Sequence, residues 1–505
     1  MTGCVRVRRK GCGGAGVVVS VGPTGDAHSA IAGCDEGGKG SGTVEMVTIQ
    51  AQAKMADRPG VVRPAKGGSS RLGFALFVVL NTLLLIRPQE LFVQLNALPL
   101  YFVVMVVCLV INWQKILAQL SWTKLRERPI TLCVVGLAPV IVLSTLWQSR
   151  IDLLETVAWE YVKIVAYYLV LMCVVDTPSR LRQAAITMAA LITVAGAMPL
   201  LDHFGVLELE SLKESRDVTR DQETGKQVRF ERLQGVGIFN DPNDLAQILA
   251  VGVVFAVYGM QLSRRWIGRL PWLAAMAVML LAFYLTKSRG GLMALAAGLG
   301  VLFVQRFGWK KAVIMGLLVL PAVGMMLSGR QTDLESGEDS AQTRVQLWSD
   351  ALQALREAPV MGLGAGVFVE SAGQVAHNSF LQSFAETGFP GGFLFFTAYL
   401  AAIWGVLRLR GRSVRVTDGQ LAKFSPVLLA ALAAYTVGML SLTRNYVIPT
   451  YAVLGLAAGY LSLVRTLPQQ PGICWNKNLV GKSFAACCAF LLVMQLFVQA
   501  SVRWK

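Results

Sequence analysis

Charge is scarce in this chain and histidine is nearly missing. Only 15% of the 505 residues are Asp, Glu, Lys or Arg, and three are His. A soluble globular chain has about 25% charged and about 45–50% apolar residues. This one is 54% hydrophobic with a mean hydropathy of +0.54, which excludes an ordinary soluble domain. The few His and the nine Cys have no metal-ligand spacing, so no metal and no cofactor is expected. GLGAG at 362–366 lacks the Lys-Ser/Thr of a phosphate loop and reads as backbone flexibility. Residues 1–70 lack an apolar stretch long enough for a signal peptide, and no repeat at a solenoid period is visible.

The chain does have apolar runs such as LGFALFVVLNTLLLI and AAMAVMLLAFYL. Most have roughly the 17–20 residues that cross a hydrocarbon core of about 30 Å. In lipid each backbone must satisfy its own hydrogen bonds, so the runs are helices. The fold class is all-α: a polytopic helical integral membrane protein with about 12–13 transmembrane helices. Spans fall near 72–87, 97–112, 130–147, 158–175, 184–201, 244–262, 270–286, 291–307, 312–328, 391–407, 425–442, 447–464 and 483–501. Residues 1–70 read as a disordered basic cytoplasmic tail, with Met55 as a candidate start. Residues 71–202 hold the N-terminal helices, 203–243 an outer segment, and 244–464 a transmembrane core that includes a second outer segment, 329–377. Residues 465–505 are a cytoplasmic loop and the final helix. Cys108, Cys133, Cys173, Cys487 and Cys488 lie in apolar runs as small hydrophobes; Cys4, Cys12, Cys34 and Cys474 lie in segments placed in the cytoplasm. No structural disulfide is expected.

The formal charge is +17, from 47 basic and 30 acidic residues. Most of the excess lies in short loops between apolar runs, which is topology control rather than a nucleic-acid surface, so no nucleic-acid partner is expected. KLRER at 124–128, SRLR at 179–182, SRRWIGR at 263–269, RFGWKK at 306–311 and RLRGRSVR at 408–415 fall on alternate turns and share the cytoplasmic side. The other side receives RPQE at 87–90, 202–243, KSRGG at 287–291, 329–377 and TRNY at 443–446. In the second outer segment, Val345, Trp348, Leu352 and Leu355 recur at helical spacing. They predict an amphipathic helix lying on the membrane, with Trp348 at headgroup depth. ESGED at 335–339 reads as a solvated acidic loop.

Three stretches carry the candidate chemistry. In VAHNSFLQSFAETGFPGG, His377 precedes a helix on which Asn378, Gln382 and Glu386 share one face. Imidazole is the side chain suited to take a proton near neutral pH. The competing reading is a helix start capped by Asn or Ser, with His377 in water. Gly388, Pro390, Gly391 and Gly392 predict a break before the span proper, with Glu386 at the interface. In KSRGG, Lys287 and Arg289 place positive charge in a tight outer turn against the topology bias, so an anion should compensate it: a ligand or a lipid phosphate. In ERLQGVGIFNDPNDLAQ, Asn240 to Asp244 form a turn and helix N-cap that includes Asn243, which leaves Arg232 unexplained. Of the other histidines, His203 borders the outer end of a span and His28 lies in the tail.

RLQGVGIFNDPNDLA, LTKSRGGLMAL, RVQLWSDALQALREAPVMGLGAGVF and HNSFLQSFAETGFPGG, in this order, resemble the O-antigen ligase and O-antigen polymerase superfamily over about residues 230–400. RPQE is a weaker extension of the likeness. The resemblance implies a metal-independent, inverting glycosyltransferase of the bacterial inner membrane with its active site on the periplasmic face. Its donor would be a polyprenyl diphosphate-linked glycan; its acceptor would be lipid A-core, another glycan or a protein. By position in the motifs, Arg289 and Arg232 would hold the diphosphate and His377 would act as base or orient the acceptor. Lys287 would assist the arginines, with Asn378, Glu386 and Asn243 in support. Arg216, Arg220 and Arg229 are rivals to Arg232. The first 54 residues and the thirteenth span are not expected from the family. A different class, a transporter of lipid-linked glycan, would place polar groups near the midplane within an inverted repeat; no such repeat is visible.

Overall fold

A computed structural model describes residues 71–91, 98–207, 232–328, 334–411 and 413–502, with short strands at Val5–Val7, Val17–Val19, Val218–Arg220 and Gln227–Arg229. Met1–Lys66 is a unit of its own, in which Val5–Val7 pairs antiparallel with Val17–Val19. The rest of the expected tail, and most of the outer segment 203–231, lies outside the described residues.

Gly67–Lys505 is the helical unit. Its helices are α1 (Arg71–Leu85), α2 (Leu100–Gln119), α3 (Pro129–Trp147), α4 (Ile151–Val174), α5 (Pro178–His203), α6 (Pro242–Leu262), α7 (Leu270–Thr286), α8 (Arg289–Phe307), α9 (Trp309–Ser328), α10 (Leu334–Glu357), α11 (Ser379–Arg408), α12 (Gly419–Met439), α13 (Ile448–Leu463) and α14 (Lys477–Ser501). Among the described residues, ten helices are long and apolar enough to cross a membrane; α1 and α13 are shorter apolar helices. The chain is a polytopic helical membrane protein, and each of the thirteen expected spans coincides with a helix. Local sequence sets the helix starts. Thr177, Asp241, Ser288, Asn378, Asp418 and Asn476 each cap a helix by accepting a backbone N–H, and Pro178 and Pro242 occupy first helical positions.

α6 is enclosed by α5, α7, α8 and α12. α8 packs on α12, α11 on α3, and α4 on α13. Small residues permit the close crossings. A Cβ on Gly252 would lie 2.5 Å from Ile192 Cγ2 and 2.7 Å from Met279 Sδ, so α6 meets α5 and α7 backbone-close there.

Two expectations for the second outer segment change. ESGED is not a loop: residues 334–340 are already helical and begin α10. The apolar face of α10 does not lie on a membrane surface. Val345, Leu347, Ala351 and Leu352 are buried with Leu381 and Ala385 of α11 and Val498 of α14, and the Trp348 ring sits 5.8 Å from that of Phe497. Gln342 donates to the Ser501 carbonyl at 3.2 Å, and Arg356 hydrogen-bonds Gln495. The last helix is therefore a packing partner of α10 rather than an appendage.

The packing yields a test. Gly252→Leu should force α6 away from α5 and α7 and cost about 1–3 kcal/mol, read as a lowered Tm of the detergent-solubilised protein. Gly300→Leu, at a site with nothing within 4 Å, should leave Tm unchanged.

Candidate functional site

Four loops meet at one end of the bundle. The first runs from Arg232 into α6 and lies along the end of α7: Leu233 N donates to Leu285 O at 3.0 Å, and Arg232 Nε donates to Thr286 O at 3.0 Å. Asn243 is the junction, because its Oδ1 accepts from Arg232 Nη2 at 3.2 Å and from Ser288 Oγ at 2.7 Å. Asp241 caps α6 by accepting from Asn243 N at 2.6 Å. The side chain of Arg87 packs against Gly237, whose φ of 64° and lack of a Cβ permit the contact. RPQE thus joins the same end.

The second loop is KSRGG. Lys287 is exposed and closes α7 in a left-handed conformation (φ 51°). Ser288 Oγ accepts from Gly291 N at 3.0 Å and caps α8, which leaves Arg289 exposed at the positive end of that helix. Gly290 lies against Ser441 of the third loop, 440–447.

That third loop carries Arg444, which makes an ion pair with the buried Asp244 in the first turn of α6. Burial opposes the charge of Arg444, and Asp241 supports it. A cavity of about 20 Å³ beside the pair, lined by Gln247, Tyr435, Ile238 and Phe239, has room for about one water.

The fourth loop ends at α11. His377 is half-buried and has a left-handed backbone (φ 49°), which a non-glycine residue seldom adopts. Asn378 is the cap: its Oδ1 accepts from Phe380 N at 3.1 Å and Leu381 N at 3.2 Å. The capping reading of Asn378 is therefore right, but His377 beside it is not simply in water. Gln382 Nε2 donates to Glu386 Oε1 at 2.8 Å. Glu386 is fully enclosed by protein, where the sequence placed it at an interface. α11 departs from helical geometry at Gly388 (φ 64°), the break expected there.

GLGAG is a built turn rather than a flexible one. Leu363 N and Gly364 N donate to Ala385 O and Glu386 O, at 2.9 and 3.0 Å. Gln148 Nε2 donates to Gly362 O at 2.6 Å. A Cβ on Gly362 would collide with the Glu386 backbone.

Electrostatics ties the loops together. Burial holds Arg344 of α10 below the ordinary guanidinium range; the nearby charge of Asp241 works against that shift, and the charges of Arg232 and Arg289 add to it. Burial, and then the Arg344 charge, push His377 below the ordinary imidazole range, with Asp241 partly offsetting them. Arg232, Arg289, Arg344, Asp241 and His377 thus share one neighbourhood. Arg220 and Arg229, rivals to Arg232, belong to a two-stranded hairpin, and Arg216 lies outside the described residues.

Sequence reasoning missed Arg344 and Arg444. A signal for Arg444 existed: TRNY places a cation on the same non-cytoplasmic side as KSRGG, against the same topology bias. Arg344 sits in a helix read only for its apolar face.

The charge relations predict opposite shifts at His377. Arg344→Met should raise its pKa toward the ordinary imidazole value, and Asp241→Asn, which keeps the helix cap, should lower it further. Histidine-selective NMR titration of the full chain, with its three His, reads both.

Residues 274–396 match a family model described as O-Antigen ligase. The matched stretch contains Lys287, Arg289, Arg344, His377, Asn378, Gln382 and Glu386; Arg232, Asn243, Asp244 and Arg444 lie outside it. No curated protein matches the chain. Residues 274–396 thus carry an O-antigen ligase domain, which supports a membrane enzyme of glycan transfer of the ligase or polymerase type.

Proposed function

We propose that the site moves a glycan from a polyprenyl diphosphate carrier to an acceptor hydroxyl, with inversion at the anomeric carbon and without a metal. The observation that carries this reading is the bonded chain from Arg232 through Asn243 to Ser288 beside Arg289, with Arg344 close enough to feel both arginines and to act on His377. In the reaction the acceptor oxygen bonds to the anomeric carbon and its proton passes to His377. The bond from that carbon to the diphosphate oxygen breaks, and the diphosphate leaves with the electron pair. Its charge develops where preorganised guanidinium groups wait in a partly dry site, the arrangement that stabilises a leaving anion most. Lys287 adds positive charge at the exposed edge. An imidazole kept neutral by burial and by a neighbouring cation is ready to accept a proton at neutral pH.

The charge parity of the loops supports a non-cytoplasmic side for this end of the bundle, which in this reading is the periplasmic face of a bacterial inner membrane. There a lipid-borne donor would present its diphosphate at the membrane boundary. The acceptor is lipid A-core in the ligase reading, a growing glycan in the polymerase reading and a protein hydroxyl in the protein-glycosylation reading. Transport of a lipid-linked glycan is the reading of another class, and the gathering of the charged groups at one end of the bundle speaks against it.

Reconstitution with a polyprenyl diphosphate-linked glycan and candidate acceptors tests the proposal. Arg289→Ala should abolish transfer in a protein that still inserts and folds; near-normal transfer would contradict the diphosphate role. His377→Ala should slow product formation by roughly 10²–10⁴-fold and spare donor binding. Because the imidazole must be neutral, the rate should rise with pH through a midpoint below the ordinary imidazole value and level off near neutrality. Turnover should persist in EDTA.

A further inference from the structure

We infer that Gln382 is a positioning residue: its side-chain amide sets the backbone that carries His377 and ties it to the loop that carries Arg444. The inference rests on the reading of His377 as the base.

The geometry is closed on all sides. Gln382 is 4% exposed, one turn into α11. Its Oε1 accepts from Ala376 N at 2.9 Å and from Thr443 Oγ1 at 2.9 Å, and its Nε2 donates to Glu386 Oε1 at 2.8 Å. Ala376 is the residue before His377, and Thr443 is the residue before Arg444. The same helix turn holds the third loop again, because Ser379 Oγ accepts from Arg444 N at 2.8 Å and donates to Leu442 O at 2.6 Å. Glu386 anchors the far end: its carbonyl accepts from Ser144 Oγ of α3 at 2.7 Å.

The residue type follows from the bonds. Position 382 needs an oxygen with two lone pairs for two donors and an N–H for a carboxylate, all out of water. Only a primary amide supplies both from one planar group. A glutamate would have no N–H to offer Glu386, and a methionine would fill the volume with no bonds. The left-handed backbone at His377 is the element that needs holding, since such a conformation persists only where its surroundings over-determine it. With the Ala376 bond gone, the loop can relax and the imidazole can leave its place between Arg344 on α10 and Asp241 before α6, the two charged groups that act on it.

The test uses the full chain in nanodiscs, with histidine labelled and the three signals assigned by replacing His28 and His203. In Gln382→Met the His377 signal should move and titrate closer to the ordinary imidazole value. Transfer from a polyprenyl diphosphate-linked oligosaccharide should fall roughly tenfold to a hundredfold, while affinity for that donor stays within about twofold. Thr443→Val, which removes one of the two donors, should move the signal less and in the same direction. A folded Gln382→Met protein whose His377 signal and turnover match the wild type would overturn the inference. If Gln382→Met does not fold, Thr443→Val decides, and an unmoved His377 signal there overturns it as well. A signal that moves in a protein unable to use any polyprenyl diphosphate donor would leave the positioning role standing and remove the glycan-transfer reading.

Discussion

The pair of Arg444 and Asp244 is the joint on which the polar end of the bundle hangs. An arginine cannot shed its proton, so placing one against apolar helices requires a permanent anion beside it. Asp244 meets that need from the first turn of α6, with only 3% of its side chain exposed. Breaking such a pair leaves an uncompensated charge, at a cost of about 3–5 kcal/mol. The pair therefore fixes where the 440–447 loop lies. That loop in turn receives bonds from Thr450 Oγ1 to Arg444 O (2.5 Å) and from Tyr451 OH to Asn445 O (2.8 Å), and its Arg444 N donates to Ser379.

Among the described residues, cations outnumber carboxylates around this joint. Asp241 and Asp244 face Arg232, Arg289, Arg344 and Arg444, and the N-terminal ends of α6 and α8 add their own partial positive charge. In the interior of a membrane protein such an excess is costly. It is tolerated where a polar end opens to water or to an anionic ligand. Burial first, and the Arg344 charge second, push the His377 imidazole below its ordinary range. In the proposed reaction the same field would favour an anionic leaving group and a neutral imidazole.

Backbone contact completes the arrangement. Gly362 and Gly388 meet where no Cβ would fit: a Cβ on Gly388 would lie 2.9 Å from Gly362 N. This approach bends α11 at Gly388, so that its first two turns point their polar face at the loops while the remainder packs on α3. The bend converts an i, i+4, i+8 stripe on a helix into a set of braces between separate loops.

The sequence by itself determined the helices, because a run of apolar residues must satisfy its own backbone bonds wherever it sits in a bilayer. It also marked Lys287, Arg289, His377, Asn378 and Glu386 as polar groups beside apolar runs, while Arg232 and Asn243, in a polar segment, became candidates through their position in the motif the chain resembles. Caps such as Asp241 and Asn378 were legible too, because capping is local. Only the tertiary structure decided that Arg344 and Arg444 join the site, that α10 packs on α14 instead of on lipid, and that Glu386 is enclosed. The reason is that ion pairing, burial and the approach of two loops depend on distances between residues far apart in the chain. Periodicity and composition record which face of a helix is apolar, and they are silent on which neighbour will cover it.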